Sequence, residues 1–143
     1  MPAILRVALD MPLRRLFDYL PPEGLGENGV PPIGVRVRVP FGRQRLVGVV
    51  CAHAENSELP RDKLKAVIDV LDREAVVDER VLELVEWASQ YYHHPMGEVL
   101  AAALPKLARA GASATASTER WFATAQGHEA QAGKALAPAR RQP

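Results

Sequence analysis

The 143-residue sequence is poor in cysteine and has no long hydrophobic run. Its one cysteine, Cys51, cannot form an internal disulfide or a zinc site made of several cysteines, which suits a reducing cytoplasm. Because Cys51 lies in an apolar stretch, we predict that its side chain packs in the core. No apolar run reaches the about 20 residues that a transmembrane helix needs. Arg6 and Asp10 interrupt the apolar N-terminal stretch, so we predict neither a membrane span nor a secretory signal.

Sequence patterns of common enzymes are absent too. The chain contains neither the GxxxxGK[ST] loop that binds nucleotide phosphates nor the GxSxG turn that presents a catalytic serine. His93 and His94 are adjacent at the end of a predicted helix, where neighbouring side chains diverge, so they favour a helix cap over a metal site. We therefore predict no catalytic residue, no metal site and no cofactor in this chain. A small hydrolase or nuclease is the least favoured function class.

The net charge is only +1, but the charges are unevenly distributed. Residues 1–54 contain seven Lys and Arg against four Asp and Glu, residues 55–104 contain five against eleven, and residues 105–143 contain six against two. This pattern excludes a uniformly basic surface that coats DNA. It favours local nucleic-acid contacts on the basic first third, with little long-range steering.

Strict alternation predicts a β-hairpin in the first half of the chain. Residues 35–41, VRVRVPF, place three valines on one side of a strand and Arg36 and Arg38 on the other. Residues 46–52 form the second strand, and the turn at residues 41–45 contains Gly42. Such a glycine is needed where the chain bends sharply or where a ligand approaches the backbone.

Further segments predict a mainly β fold with helices toward the C-terminal end. Residues 3–9 are apolar and β-compatible, and the proline- and glycine-rich residues 21–34 predict a loop. Residues 64–71 alternate again and predict another strand, with a short helix as the alternative. Asp78 is a suitable N-cap for a helix that Pro95 ends, and a second short helix follows. The first helix has a predicted apolar stripe, formed by Val81, Leu84, Val85, Ala88 and Tyr92.

The predicted fold class is therefore mainly β with C-terminal helices (α+β), as a small, partly open β-barrel of about five or six strands. We predict one folded domain over residues 1–105. The small and polar residues 106–118 predict a linker. Residues 119–143 contain too few apolar residues to fold alone, and we interpret them as the truncated, disordered start of a further domain.

Two polar sets are candidate binding residues. In Phe17-Asp18-Tyr19 a carboxylate lies between two aromatic residues; either Asp18 faces a ligand that offers a hydroxyl, or it caps a turn while the aromatic rings pack on the core. The second set is a group of arginines on the predicted hairpin, Arg36, Arg38, Arg43 and Arg45. Their planar guanidinium groups suit phosphate, and the alternative is a solvated strand face that discourages edge pairing.

Four stretches carry a family resemblance. They are residues 16–21 (LFDYLP), residues 34–43 (GVRVRVPFGR), residues 58–67 (ELPRDKLKAV) and residues 88–98 (ASQYYHHPMGE). In their order and spacing, they resemble the N-terminal 3′-DNA-end-binding domain of the PriA family of primosomal helicases, which restart stalled bacterial replication forks. The resemblance covers about residues 3–105. Residues 121–124 (WFAT) further resemble the start of the winged-helix domain that follows in that family.

The resemblance implies a domain that binds the 3′-terminal nucleotide of a nascent strand at a fork, whatever its base. In that family the nucleotide lies in a pocket made by a Phe-Asp pair, a glycine after a Pro-Phe turn, and a lysine. The corresponding residues of this sequence are Phe17, Asp18, Gly42 and Lys65. Asp18 would accept a hydrogen bond from the free 3′-hydroxyl, a donor that an internal nucleotide or a 3′-phosphate lacks.

Partners are also implied by the resemblance. They are branched fork DNA and its 3′ ends, together with other primosome proteins and single-stranded DNA-binding protein reached through the full-length protein, in the bacterial cytoplasm and without a membrane. The family's ATP-dependent 3′–5′ helicase uses ATP, magnesium and zinc, but this chain matches neither its helicase lobes nor its cysteine-rich zinc region, so we expect no enzyme activity here. The alternative is a protein-docking module of a replication or repair complex, which uses strand edges and the acidic helix at residues 78–92.

Overall fold

The computed structural model describes residues 3–24, 29–114 and 120–131. Within these ranges five strands and four α-helices follow one another, with a 3₁₀ turn at Arg61–Lys63 before the last strand. They are β1 (Ile4–Leu9), β2 (Phe17–Tyr19), β3 (Arg36–Phe41), β4 (Gln44–Ala54), β5 (Asp69–Val70), α1 (Glu79–Tyr91), α2 (Met96–Ala103), α3 (Lys106–Arg109) and α4 (Ala125–Gln131). None of the helices in this described part is long and apolar enough to cross a membrane.

The strands form one antiparallel sheet in the order β2-β1-β4-β3-β5. The two edge strands are β2 and β5. The segment that follows β2 and the segment that precedes β5 meet at an isolated parallel bridge between Leu20 and Ala66. There the Leu20 N–H donates to the Lys65 carbonyl oxygen, and the Val67 N–H donates to the Leu20 carbonyl oxygen, both at 2.9 Å. The α+β class is thus confirmed. The sheet is rolled until its edges touch, but no continuous strand ladder closes it into a barrel.

The predicted hairpin is confirmed as β3 and β4. Val35, Val37 and Val39 are fully buried in the interior of the rolled sheet, together with Leu5 and other apolar residues of the strands. The predicted strand at residues 64–71 is much shorter than the alternation indicates. Its first part bonds to Leu20, whereas the N–H groups of residues 68 and 71 donate to carbonyl oxygens of β3. Because the segment changes partner midway, only Asp69–Val70 remains as a strand.

Helices α1 and α2 cover the outer face of β1 and β4. The helix start is confirmed, because the carboxylate of Asp78 accepts a hydrogen bond from the Val81 N–H at 2.9 Å. The predicted stripe is confirmed only in part: Val85 is buried and Ala88 is partly buried, but Val81, Leu84 and Tyr92 are exposed, and Leu82, which the stripe omits, is buried. Apolar residues occur in adjacent pairs along α1, so spacing alone does not choose the face, and the contact with the sheet and α2 decides it. Cys51 is partly buried and packs against the apolar residues between the helices and the sheet, which include Leu82 and Val85.

Arg36 corrects a prediction. It is 1% exposed, although the sequence offered either a phosphate contact or a solvated strand face for it. Its guanidinium forms a bidentate salt bridge with the Asp72 carboxylate, in which Nε donates to Oδ2 at 2.9 Å and Nη2 donates to Oδ1 at 2.7 Å. The third nitrogen of the guanidinium, Nη1, donates to the carbonyl oxygens of Ala108 and Ala112 at 2.7 and 2.6 Å. Residues 106–112, assigned by composition to the linker, therefore lie against β3, and Arg36 cannot reach a phosphate.

Helix α2 approaches β1 more closely than any side chain would allow. A Cβ atom at Gly97 would overlap the carbonyl group of Leu9, which is backbone and cannot rotate away. This contact lets α2 lie directly on the sheet and bury Leu100. The glycine at the first turn of α2 is thus required by packing.

We expect Gly97→Ala to lower the free energy of unfolding by about 3 kcal/mol, because the added methyl group overpacks the helix–sheet contact. Urea unfolding followed by circular dichroism measures this loss. Gly127→Ala is the matched control, because its Cβ would make an ordinary contact of 3.5 Å with Ala123. Equal midpoints for the two variants would contradict the close approach.

We expect Asp72→Asn to destabilise the domain by about 3–5 kcal/mol, because it leaves the buried Arg36 charge without its counter-ion. Burial alone would raise the pKa of Asp72, but its hydrogen bonds and charge attraction with Arg36 together hold that pKa below its ordinary value. The ionised pair therefore stabilises the fold above about pH 4, and this contribution is lost as the pH falls through the lowered pKa.

The measurement for this pair is the difference in unfolding free energy between wild type and variant from pH 7 down to pH 2. Asp69→Asn is the control, because the Arg38–Asp69 pair has a similar distance of 3.0 Å but lies at the surface, where such pairs contribute about 1 kcal/mol or less. A difference for Asp72→Asn that stays constant over this pH range would refute the assigned pairing.

Candidate functional site

Strand β2 presents Phe17 and Asp18 on opposite faces. Tyr19 is buried on the inner face, where its hydroxyl donates to the Pro40 carbonyl oxygen at 3.0 Å, and Phe17 follows the same face by alternation. Asp18 pairs across the sheet with Arg6, and both lie on the outer face. The aromatic residues therefore pack as the simpler of the two sequence interpretations expects, while the carboxylate faces outward.

The Asp18 carboxylate is held by two side chains. The Ser57 hydroxyl donates to Asp18 Oδ2 at 2.6 Å, and Arg6 Nε lies 3.7 Å from Asp18 Oδ1. Ser57 Oγ also accepts from the Leu59 N–H at 3.2 Å, which fixes the hydroxyl in place. The Asp18 side chain remains 17% exposed, so one side of the carboxylate still faces solvent. Sequence reasoning missed Ser57, which lies one residue before the stretch that begins at Glu58.

An open cleft of about 410 Å³ lies over this carboxylate. Its lining residues combine two cations, two carboxylates and one apolar side chain: Arg6, Arg15, Leu16, Asp18 and Glu58. The volume is within the range of small-ligand sites, about 300–1,000 Å³. The cleft therefore offers both a hydrogen-bond acceptor for a hydroxyl and cations for a phosphate.

Phe17 and Gly42 are connected through Phe41. The Phe17 and Phe41 rings contact edge to face, with centroids 5.2 Å apart, and Gly42 directly follows Phe41. Gly42 has φ +59°, and the space where its Cβ would stand is open. This geometry is typical of a two-residue hairpin turn with glycine first, which matches the twist of the strands. The turn leaves the backbone of Gly42 accessible.

The backbone of Lys65 lies beside the end of β2. Its carbonyl oxygen accepts the hydrogen bond from Leu20, two residues after Asp18, and its side chain is exposed. The structure thus brings Lys65 to the β2 edge and the Gly42 turn to Phe17. Neither Lys65 nor Gly42 lines the cleft over Asp18.

The remaining predicted phosphate contacts differ in their surroundings. Arg38 donates to the Asp69 carboxylate at 3.0 Å and is about one-third exposed. Arg43 and Arg45 are exposed at the hairpin, on or beside its turn. These three arginines remain accessible at the surface, unlike Arg36.

Helix α1 carries an aromatic patch that sequence reasoning missed. Trp87 stacks on Tyr91 with ring centroids 5.1 Å apart, and Tyr92 contacts both rings edge to face. All three side chains are more than half exposed. The available signal was a tryptophan four residues before a tyrosine, which puts the two rings on one helix face.

Comparison with known proteins identifies a family and several proteins that are similar to this chain. Residues 6–105 match the family model of the 3′DNA-binding domain (3′BD) of PriA. The chain is 42% identical over 111 residues to the replication restart protein PriA of Haemophilus influenzae, covering 78% of this chain and 15% of that protein. It is 31% identical over 104 residues to the replication restart protein PriA of Buchnera aphidicola subsp. Acyrthosiphon pisum, covering 73% of this chain and 14% of the relative.

A further match is the replication restart protein PriA of Bacillus subtilis, with 40% identity over 75 residues, which cover 52% of this chain and 9% of the relative. In each of these three comparisons the aligned part spans 15% or less of the relative's length. The similarity therefore concerns one domain of much longer proteins.

Proposed function

Since the chain belongs to the 3′DNA-binding domain family of the replication restart protein PriA, we propose that it binds a DNA strand at its 3′ end and recognises the terminal 3′-hydroxyl. The observation that carries the proposal is the partly exposed Asp18 carboxylate in the cleft on the outer face of β2. On this proposal the domain works in the bacterial cytoplasm, on branched DNA at stalled forks.

Asp18 is the residue that distinguishes a chain end from an internal nucleotide. A free 3′-hydroxyl donates a hydrogen bond to the carboxylate, and the negative charge makes this bond stronger than a neutral one. A 3′-phosphate offers no such donor and brings negative charge close to the carboxylate. Ser57 already bonds to Oδ2, which leaves Oδ1 and the exposed side of the group for the ligand.

The other three residues assigned by the resemblance provide contacts that do not depend on the base. Phe17 provides an apolar wall, Gly42 leaves main-chain groups open to the nucleotide, and the Lys65 ammonium balances negative charge near Asp18. Two contacts support this assignment: the Phe17–Phe41 contact brings the Gly42 turn beside Phe17, and the bond from Leu20 to Lys65 brings the Lys65 backbone beside the end of β2. Arg38, Arg43 and Arg45 are accessible for phosphates farther along the strand.

Asp18→Ala should reduce the preference for a 3′-hydroxyl over a 3′-phosphate end by a factor of about 10–100, because one charge-assisted hydrogen bond is lost. Fluorescence anisotropy with two oligonucleotides that differ only in this terminus measures the ratio. The absolute affinity for the 3′-phosphate end should fall little or rise, because a repulsive charge is removed.

Asp62→Ala is the matched control, because Asp62 is an exposed carboxylate on the 3₁₀ turn and does not line the cleft. Its preference should equal that of the wild type. An equal loss of affinity for both ends in Asp18→Ala, or no loss for either, would argue against the role assigned to Asp18.

A second candidate function, docking of a partner protein, is favoured by the aromatic patch of Trp87, Tyr91 and Tyr92. Tyrosine and tryptophan are enriched at protein interfaces, and the exposed acidic residues of α1 make its surface unsuitable for DNA. The strand edges are less suitable for docking, because the chain beside them is joined at the Leu20–Ala66 bridge.

We expect Trp87→Ala to weaken association with single-stranded DNA-binding protein or another primosome protein while leaving the 3′-end preference unchanged. Sedimentation velocity with the purified partner, in the full-length protein that contains this domain, measures the association. Binding that is unaffected by the substitution would reject the patch as the contact. The full-length protein's use of ATP, magnesium and zinc is likewise a proposal about the regions that this chain does not match.

A further inference from the structure

Arg6 is only loosely engaged by its partner in the cleft. Its Nε lies 3.7 Å from Asp18 Oδ1, beyond the 2.7–3.2 Å of a normal N–H···O hydrogen bond, and its side chain is 48% exposed. The pair is therefore an attraction between charges that a ligand can rearrange. When a hydroxyl of a ligand donates a hydrogen bond to Asp18, the guanidinium of Arg6 is next to the same ligand.

Arg15 is held at the cleft by an aromatic ring. Its guanidinium carbon lies 5.6 Å from the centroid of Phe17, within the range of a cation–π contact, and its side chain is exposed. This contact restricts the side chain without using its hydrogen-bond donors. A planar guanidinium positioned in this way can offer two parallel donors to a phosphate.

The charges of the cleft also fit a nucleotide. Arg6 and Arg15 balance Asp18 and Glu58, so the formal charge of its lining residues is zero. The two arginines are therefore the groups of the lining that attract a phosphodiester, and the two carboxylates oppose a ligand with several negative charges. The hairpin arginines do not provide this contact, because Arg36 is buried and none of the others lines the cleft.

We propose that Arg15, together with Arg6, binds the phosphodiester group on the 5′ side of the terminal nucleotide while Asp18 holds its 3′-hydroxyl. This inference rests on the proposed function and adds a second point of recognition to it. The cleft then requires a hydroxyl at one end of a nucleotide and a phosphate at the other, which fixes the direction of the strand.

The test uses an oligonucleotide with a free 3′-hydroxyl whose last phosphodiester is replaced by an uncharged methylphosphonate. The wild-type domain should bind this probe about tenfold more weakly than the natural strand, since one charge-assisted contact is lost. Arg15→Gln should bind the natural strand about tenfold more weakly and show a smaller loss with the uncharged linkage than the wild type, because only Arg6 still contacts the phosphate. The slope of log K against log salt should become shallower by about 0.7, the value for one phosphate contact on a single strand.

Arg14→Gln is the matched control, because Arg14 is an exposed neighbour that does not line the cleft, and it should behave as the wild type in both measurements. Equal thermal unfolding of the variants excludes misfolding as the cause. An Arg15→Gln domain that keeps the full penalty for the uncharged linkage, while wild type and variant both prefer 3′-hydroxyl over 3′-phosphate, overturns this inference alone. A wild-type domain without that preference overturns the proposed function and this inference with it.

Discussion

The hydrogen bonds of Leu20 with Lys65 and Val67 are the constraint on which the candidate site depends. They join the chain beside the two edges of a five-stranded sheet and keep it rolled around an apolar interior. The same bonds hold the segment that carries Lys65 beside the strand that carries Phe17 and Asp18. Without this junction, residues almost fifty positions apart in the sequence would not share one end of the sheet.

The inner face of the sheet was predictable because its cause is local. The alternation in VRVRVPF specifies a strand with three inward valines, and Asp78 specifies a helix start through its own carboxylate. The outer face was not predictable in the same way. A period of two says that Arg36 points away from the valines, but only the distant Asp72 and the carbonyl groups of residues 108 and 112 determine that this outer side is covered. The stripe on α1 was only partly predictable for the same reason, since its register depends on the contact with the sheet and α2.

The candidate site shows the same division between local and distant determinants. A family resemblance identified Phe17, Asp18, Gly42 and Lys65, and the unusual acid between two aromatic residues was visible in the sequence itself. The surroundings of Asp18 could not be foreseen, because Arg6 reaches it through strand pairing and Ser57 through a loop thirty-nine positions away. Such partners carry no short-range signature, yet they decide which oxygen of the carboxylate is open.

The buried guanidinium of Arg36 has a mechanical consequence. It donates hydrogen bonds to the carbonyl oxygens of Ala108, within α3, and Ala112, just after it, so the polypeptide leaves the domain from an anchored point on β3. A pull on the chain beyond residue 112 loads this anchor before it loads the helices. The strand that receives the load continues directly into the Gly42 turn, so tension from the following sequence reaches one of the four candidate binding residues.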